Sequence, residues 1–161
     1  MTGSGSSAPA GWPPLPPFAI GSSVEISRTI SESDVYLYAG LTGDLGRNHL
    51  DEEYSKSTAY GRRVVHGTYL VGLASAASTY FGQRYDKGPF RGASYGYDRV
   101  RFVRPVFIGD TVTLTYTIVD ISPEDLVSRA EVIGRNQRGD TCFAATHISK
   151  GLPVPRFRAE G

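Results

Sequence analysis

Residues 67–82, GTYLVGLASAASTYFG, contain no charged side chain, and their reading decides the fold. A helix that is apolar or small on every side is expected to be buried on every side. At 1.5 Å per residue the sixteen positions reach about 24 Å, short of the roughly 20 residues that a bilayer span needs, so protein rather than lipid is expected around it. Gly72, Ala74, Ser75, Ala76 and Ala77 would let a sheet backbone approach closely. The architecture implied is a long helix with a β-sheet wrapped around it.

Working outward toward the C-terminus, Lys87-Gly88-Pro89 and Gly92 mark a loop, after which the pattern turns from helical to strand-like. A long strand is expected over Ser94–Val106, followed by a Gly109-Asp110 turn. The clearest period-two signal is Thr111–Ile121, with Val112, Leu114, Tyr116 and Ile118 on one face and Thr113, Thr115, Thr117 and Val119 on the other. Two more strands are expected at Val127–Arg135 and Thr141–Lys150, joined by a turn over Asn136–Asp140. Toward the N-terminus, alternation in Gly21–Thr29 predicts a first strand. Ser31 or Ser33 caps a short helix over Glu32–Leu41, whose first turn carries Glu32 and Asp34. Asp51 caps another short helix running to about Thr58. The order predicts an α+β domain with its helices on one face of an antiparallel sheet.

At 161 residues the chain is sized for one domain. A formal charge of +1 offers no electrostatic footprint for nucleic acid. The single cysteine, Cys142, cannot form an internal disulfide, and His49, His66 and His147 show no metal-ligand spacing, so a metal-free and cofactor-free site in a reducing, cytoplasmic compartment is expected. Residues 1–17 hold five of the ten prolines and no Lys or Arg. Residues 1–20 therefore read as a disordered Gly/Ser/Pro-rich extension and not as a signal peptide, with a docking role for Trp12 as the alternative. The domain is placed at 21–150, with a C-terminal tail over 151–161.

Immediately before the uncharged helix lies TGDLGRNH, residues 42–49, in which Asp44 and His49 are set in a segment broken by Gly43 and Gly46. They can project from a loop and need not share a helix face. Together with Val65-His66-Gly67 and RFVRPVFIGDTV (101–112), this segment resembles the MaoC-like dehydratase family of the hotdog fold, in particular the (R)-specific enoyl-CoA hydratases. The likeness covers roughly residues 21–150. Gly43, Asp44 and His49 match the family's G-D-x-N-P-x-H loop, Val65, His66 and Gly67 its V-H-G helix entry, and Phe102, Pro105, Val106, Gly109 and Asp110 its F-x-x-P-V-x-x-G-D pattern. Ser75 falls at the family's serine position, nine residues after His66. The chain departs from the family where Gly46-Arg47 replaces Asn-Pro, which implies a more flexible loop and an added cation near its mouth.

The resemblance implies addition of water to a trans-2-enoyl-CoA thioester, or the reverse. That chemistry needs a base for the attacking water, an acid for Cα, and stabilisation of charge on the thioester oxygen. Asp44 suits the first task, and His49 can bind the same water and assist proton delivery. By resemblance, the Gly67 N–H at the positive end of the helix would donate to the thioester carbonyl, and Ser75 would orient water or substrate. Blander readings stand beside these: Asp44 as turn residue, Ser75 as a small packing residue, His66 as a structural residue at the helix entry, and His147 as a packing or surface residue. Arg99, Arg101 and Arg104 read as a solvated strand face or as partners of CoA phosphates, with Arg99 and Arg101 on one face and Arg104 on the other. Tyr69 and Leu70 are candidates for limiting acyl length.

Two further functions share the fold. A hotdog acyl-CoA thioesterase usually places an acidic residue on or beside the central helix, and 67–82 holds none. A non-catalytic acyl-thioester-binding subunit is the other alternative: the presence of both Asp44 and His49 weighs against it, and the altered Gly46-Arg47 keeps it open. The H-F-P-G motif of the acyl-carrier dehydratases is absent from the sequence. An open sheet edge together with the resemblance predicts a homodimer or higher homo-oligomer, with no nucleic-acid or membrane partner.

Overall fold

The computed structural model describes residues 18–85 and 90–153, so the expected loop at Lys87-Gly88-Pro89 and most of both termini lie outside the described residues. The first strand, β1, spans Ser23–Thr29. Three short helices follow: α1 (Glu32–Thr42), α2 (Arg47–Leu50) and α3 (Glu52–Lys56). The long helix α4 (Gly67–Tyr85) leads to β2 (Phe90–Phe102), β3 (Thr111–Ser122), β4 (Val127–Arg135) and β5 (Thr141–Pro153). The strands form one antiparallel sheet in the order β1-β3-β4-β5-β2, with α4 packed against it, the hotdog arrangement.

Local chemistry explains the element ends. Ser31 caps α1 in a full capping box with Asp34, and Gly43 closes the helix in the left-handed region at φ 75°, where its N–H bonds Ala39 O. Asp51 caps α3 by accepting from Tyr54 N at 2.8 Å. Asp110, in the turn before β3, is buried, and its carboxylate accepts from Phe107 N at 3.0 Å and Gln137 Nε2 at 2.7 Å.

Three expectations are corrected. The long helix runs past Gly82 to Tyr85, and it is covered on one face only: Leu70, Ala74, Ala77 and Phe81 are buried, while Thr68, Gly72, Ser75 and Thr79 on the opposite face are exposed. A single five-stranded sheet reaches one side of a helix, and small side chains on the other side cost little to leave in water. The strand expected over Ser94–Val106 lies four residues earlier, at Phe90–Phe102, and β5 continues through Gly151 into the expected tail. Because β2 and β5 pair antiparallel, each extends the other. The period-two reading of β3 holds, with Val112, Leu114, Tyr116 and Ile118 all buried in the core. No helix among the described residues is long and apolar enough to cross a membrane.

Candidate active site

Asp44 lies in the loop after Gly43, while His49 belongs to the single turn of α2, which the sequence had read as loop. The fold folds that turn back onto the entry to α4. Val64 N donates to Asn48 O at 3.0 Å, Val65 N donates to Val106 O at 2.8 Å, and Val64 forms an isolated bridge with Phe107. The strand-like segment before α4 is thereby held between the loop and the sheet side of the molecule. His49 Nδ1 lies 2.7 Å from Val64 O. A carbonyl only accepts, so the proton sits on Nδ1 and, in the neutral ring, Nε2 presents its lone pair.

His66 occupies the centre of this arrangement. It is almost fully buried, its ring stacks on His49 at 3.8 Å between centroids, and its Nε2–H donates to the backbone oxygen of Asp44 at 3.0 Å. Tyr38 also packs against it, with centroids 5.0 Å apart. Burial, aided by the neighbouring His49, pushes its pKa below the ordinary histidine value. With Nε2 as donor, the buried Nδ1 is an acceptor and has no hydrogen-bond partner among the described residues. Sequence reasoning assigned His66 only to the helix entry; the structure makes it the tether between Asp44 and His49. The signal available was its place directly before Gly67.

One polar atom from each of Asp44, His49 and His66 lies within 4.8 Å of the others. Lone pairs of imidazole lie in the ring plane, so two stacked rings aim them side by side and not at a shared point. The cluster is better shaped to handle a proton at the exposed Asp44 carboxylate and the His49 edge than to grip an ion.

Gly67 begins α4 directly after His66, where first-turn N–H groups have no intrahelical acceptor. Its missing side chain has a definite reason: an ideal Cβ would stand 2.8 Å from Cδ2 of Phe102. Ser75 is not brought to this cluster. It lies eight residues along α4, about 12 Å further on, on the exposed face. Its neighbour is Tyr97, whose enclosed hydroxyl lies near Ser75 and Ser94, has no hydrogen-bond partner among the described residues, and has its pKa raised by burial.

The remaining candidates also find places. Arg47 does not add a cation at the loop mouth: it pairs with Asp51 at 2.8 Å and covers the Tyr54 ring at 4.4 Å. Arg99, Arg101 and Arg104 are all exposed, and a register shift between Asp98 and Arg101, with Arg99 at φ 54°, breaks the simple alternation expected there. Leu70 is in the core, and the Tyr69 ring meets Tyr38 edge-on at 5.7 Å. His147 is fully buried, bonded to Tyr116 Oη at 2.8 Å and Ser94 Oγ at 2.9 Å.

Solved structures share this helix-on-sheet architecture. The (R)-hydratase from A. caviae involved in PHA biosynthesis superposes with a TM-score of 0.73 at 24% identity, over 86% of this chain and 98% of that one, a likeness of fold. The MaoC like domain matches residues 18–137, and the chain belongs to that family. Among curated proteins it is 41% identical to an (R)-specific enoyl-CoA hydratase of Rhodospirillum rubrum, over 65% of this chain and 68% of that protein. It is 37% identical to a 3-hydroxybutyryl-CoA dehydratase of Methylorubrum extorquens, over 62% of this chain and 59% of that protein.

Proposed function

We propose that this protein is a carbon-oxygen lyase that adds water to a trans-2-enoyl-CoA thioester to give the (R)-3-hydroxyacyl-CoA, or catalyses the reverse dehydration. The observation that carries the reading is the convergence of Asp44 and His49, tied by His66, beside the open first turn of α4. The names of the two curated relatives support the same chemistry. In the hydration direction Asp44 takes a proton from water as its oxygen attacks Cβ. His49 orients that water and assists delivery of a proton to Cα. The Gly67 N–H, at the positive end of α4, receives the charge that develops on the thioester oxygen. Ser75, about 12 Å further along the helix, orients the substrate.

A homodimer belongs to the same reading. The exposed face of α4 and the exposed Tyr95, Phe102 and Val103 on and just after the edge strand β2 support it, since open edges and apolar surface favour a partner. A cytoplasmic location completes it. The test is loss of the conjugated enoyl-thioester absorbance when purified protein meets crotonyl-CoA. Asp44→Asn and His49→Ala are each expected to lose a hundredfold or more. Release of free CoA without hydration would replace the lyase by a thioesterase.

A further inference from the structure

Tyr97 carries a polar atom toward α4 that the fold leaves unused. On β2 it stands opposite His147 in the sheet register, and its ring stacks on that imidazole at 4.5 Å between centroids. His147 is itself held by Tyr116 Oη at 2.8 Å and Ser94 Oγ at 2.9 Å, so the Tyr97 ring rests on a fixed platform. Its hydroxyl is enclosed, lies near Ser75 and Ser94, and has no hydrogen-bond partner among the described residues. An enclosed hydroxyl left unpaired costs stability, which a bond formed only with substrate bound would recover. Burial raises its pKa, which keeps the proton on the oxygen and the group a donor.

Of the two neighbouring hydroxyls, Ser94 is engaged with His147, while Ser75 stands on the exposed face of α4, where a ligand can reach it. The way along that face is clear: an ideal Cβ on Gly72, one turn before Ser75, would meet nothing within 4 Å. A mid-helix hydroxyl often turns back onto the carbonyl four residues earlier, as Thr79 Oγ1 does to Ser75 O at 3.2 Å. A bond received from Tyr97 would instead fix Ser75 Oγ and leave its own hydrogen to point outward at an acceptor. Tyr97 is too enclosed to meet substrate itself, so its influence passes through Ser75.

We propose that Tyr97 is a positioning residue for Ser75: with substrate bound, its hydroxyl donates to Ser75 Oγ, and Ser75 donates in turn to an oxygen acceptor of the substrate remote from the reacting carbons. The inference deepens the hydratase reading and rests on the part that reading gives Ser75.

The experiment measures crotonyl-CoA hydration, crotonyl-CoA affinity by calorimetry, and melting temperature for the full-length parent, Tyr97→Phe, Ser75→Ala and the double variant. Tyr97→Phe keeps a ring to stack on His147 and removes only the oxygen. It is expected to raise KM by about fivefold while kcat changes by less than about twofold, because a contact so far from the acid/base cluster is made alike in ground and transition states. Its melting temperature stays at or above the parent's, since the oxygen it loses was unpaired. Ser75→Ala raises KM at least as far, and the double variant raises it no further than Ser75→Ala alone. Parent-like KM in either single variant, additive losses in the double, or a melting temperature of Tyr97→Phe below the parent's would overturn the assignment. A parent that binds crotonyl-CoA without hydrating it sinks the lyase reading alone, and the affinities of the same variants then decide the role of Tyr97; a parent that does neither overturns both.

Discussion

Acidification is expected to weaken this fold through a histidine that takes no part in the proposed chemistry. His147 is fully buried on the sheet, with both ring nitrogens engaged by Tyr116 and Ser94 and its face stacked on Tyr97 at 4.5 Å. Burial lowers its pKa from 6.5 to about 4. Between these two values the unfolded chain binds a proton that the folded chain refuses, so stability is fully present above pH 6.5 and is lost as pH falls through this window. At 1.36 kcal/mol for each tenfold difference, the whole gap is worth about 3 kcal/mol, and about 2 kcal/mol of it is gone by pH 5. His66, also held below its ordinary value by burial, adds in the same direction. Urea unfolding at one protein concentration, at pH 7.5 and pH 5, is the assay, with His147→Gln as the perturbation. The variant is less stable at both pH values because it loses a hydrogen bond, but its loss between them is expected to be about 2 kcal/mol smaller than the parent's. Equal losses in the two proteins, or an NMR titration of His147 centred near 6.5, would refute the reasoning.

Other consequences are as open to measurement. Gly67→Ala drives a methyl group into Phe102 and is expected to cost about tenfold in kcat/KM, with recovery in the Gly67→Ala/Phe102→Ala double variant; no recovery would show that the glycine serves some purpose other than space. Arg63 joins α1 to α3 by pairing with Glu32, with Glu52 at 3.0 Å and with Tyr36 Oη at 2.9 Å, and this company raises its pKa. Arg63→Met is expected to lower the melting temperature by about 3 °C, an effect that shrinks in high salt if ion pairing is its source. Burial pushes the Cys142 thiol up in pKa, so native protein should resist a disulfide-exchange reagent and release one thiol per chain in urea; rapid labelling without denaturant would contradict the buried position.

Much of the fold was legible in the sequence because its signals act between near neighbours. The alternation in 111–121, the Ser31 cap with Asp34 three residues on, and the glycine at 43 all work within one turn or one pleat. The uncharged helix and the run of strands after it were legible in the same way and gave an α+β domain, which the resemblance to the MaoC-like family narrowed to the hotdog fold. The candidate loop was legible as a motif: Asp44 and His49 stand out by their spacing, Gly67 by the resemblance to the family, and the fold gathers them at one end of α4.

What the tertiary structure decided depends on groups distant in the chain. Composition made α4 uncharged on all sides, but only the position of the sheet determines that the Leu70 face is covered and the Ser75 face is not. Likewise the place of His49 beside His66 follows from the backbone of Val64 and Val65, which is fifteen or more residues from His49 and is held by Phe107 and Val106 from across the fold. A residue type announces what bonds it can make; the packing of remote segments chooses which of them are made, and here that choice puts a buried histidine between the Asp44 backbone, which it bonds, and the His49 ring, on which it stacks.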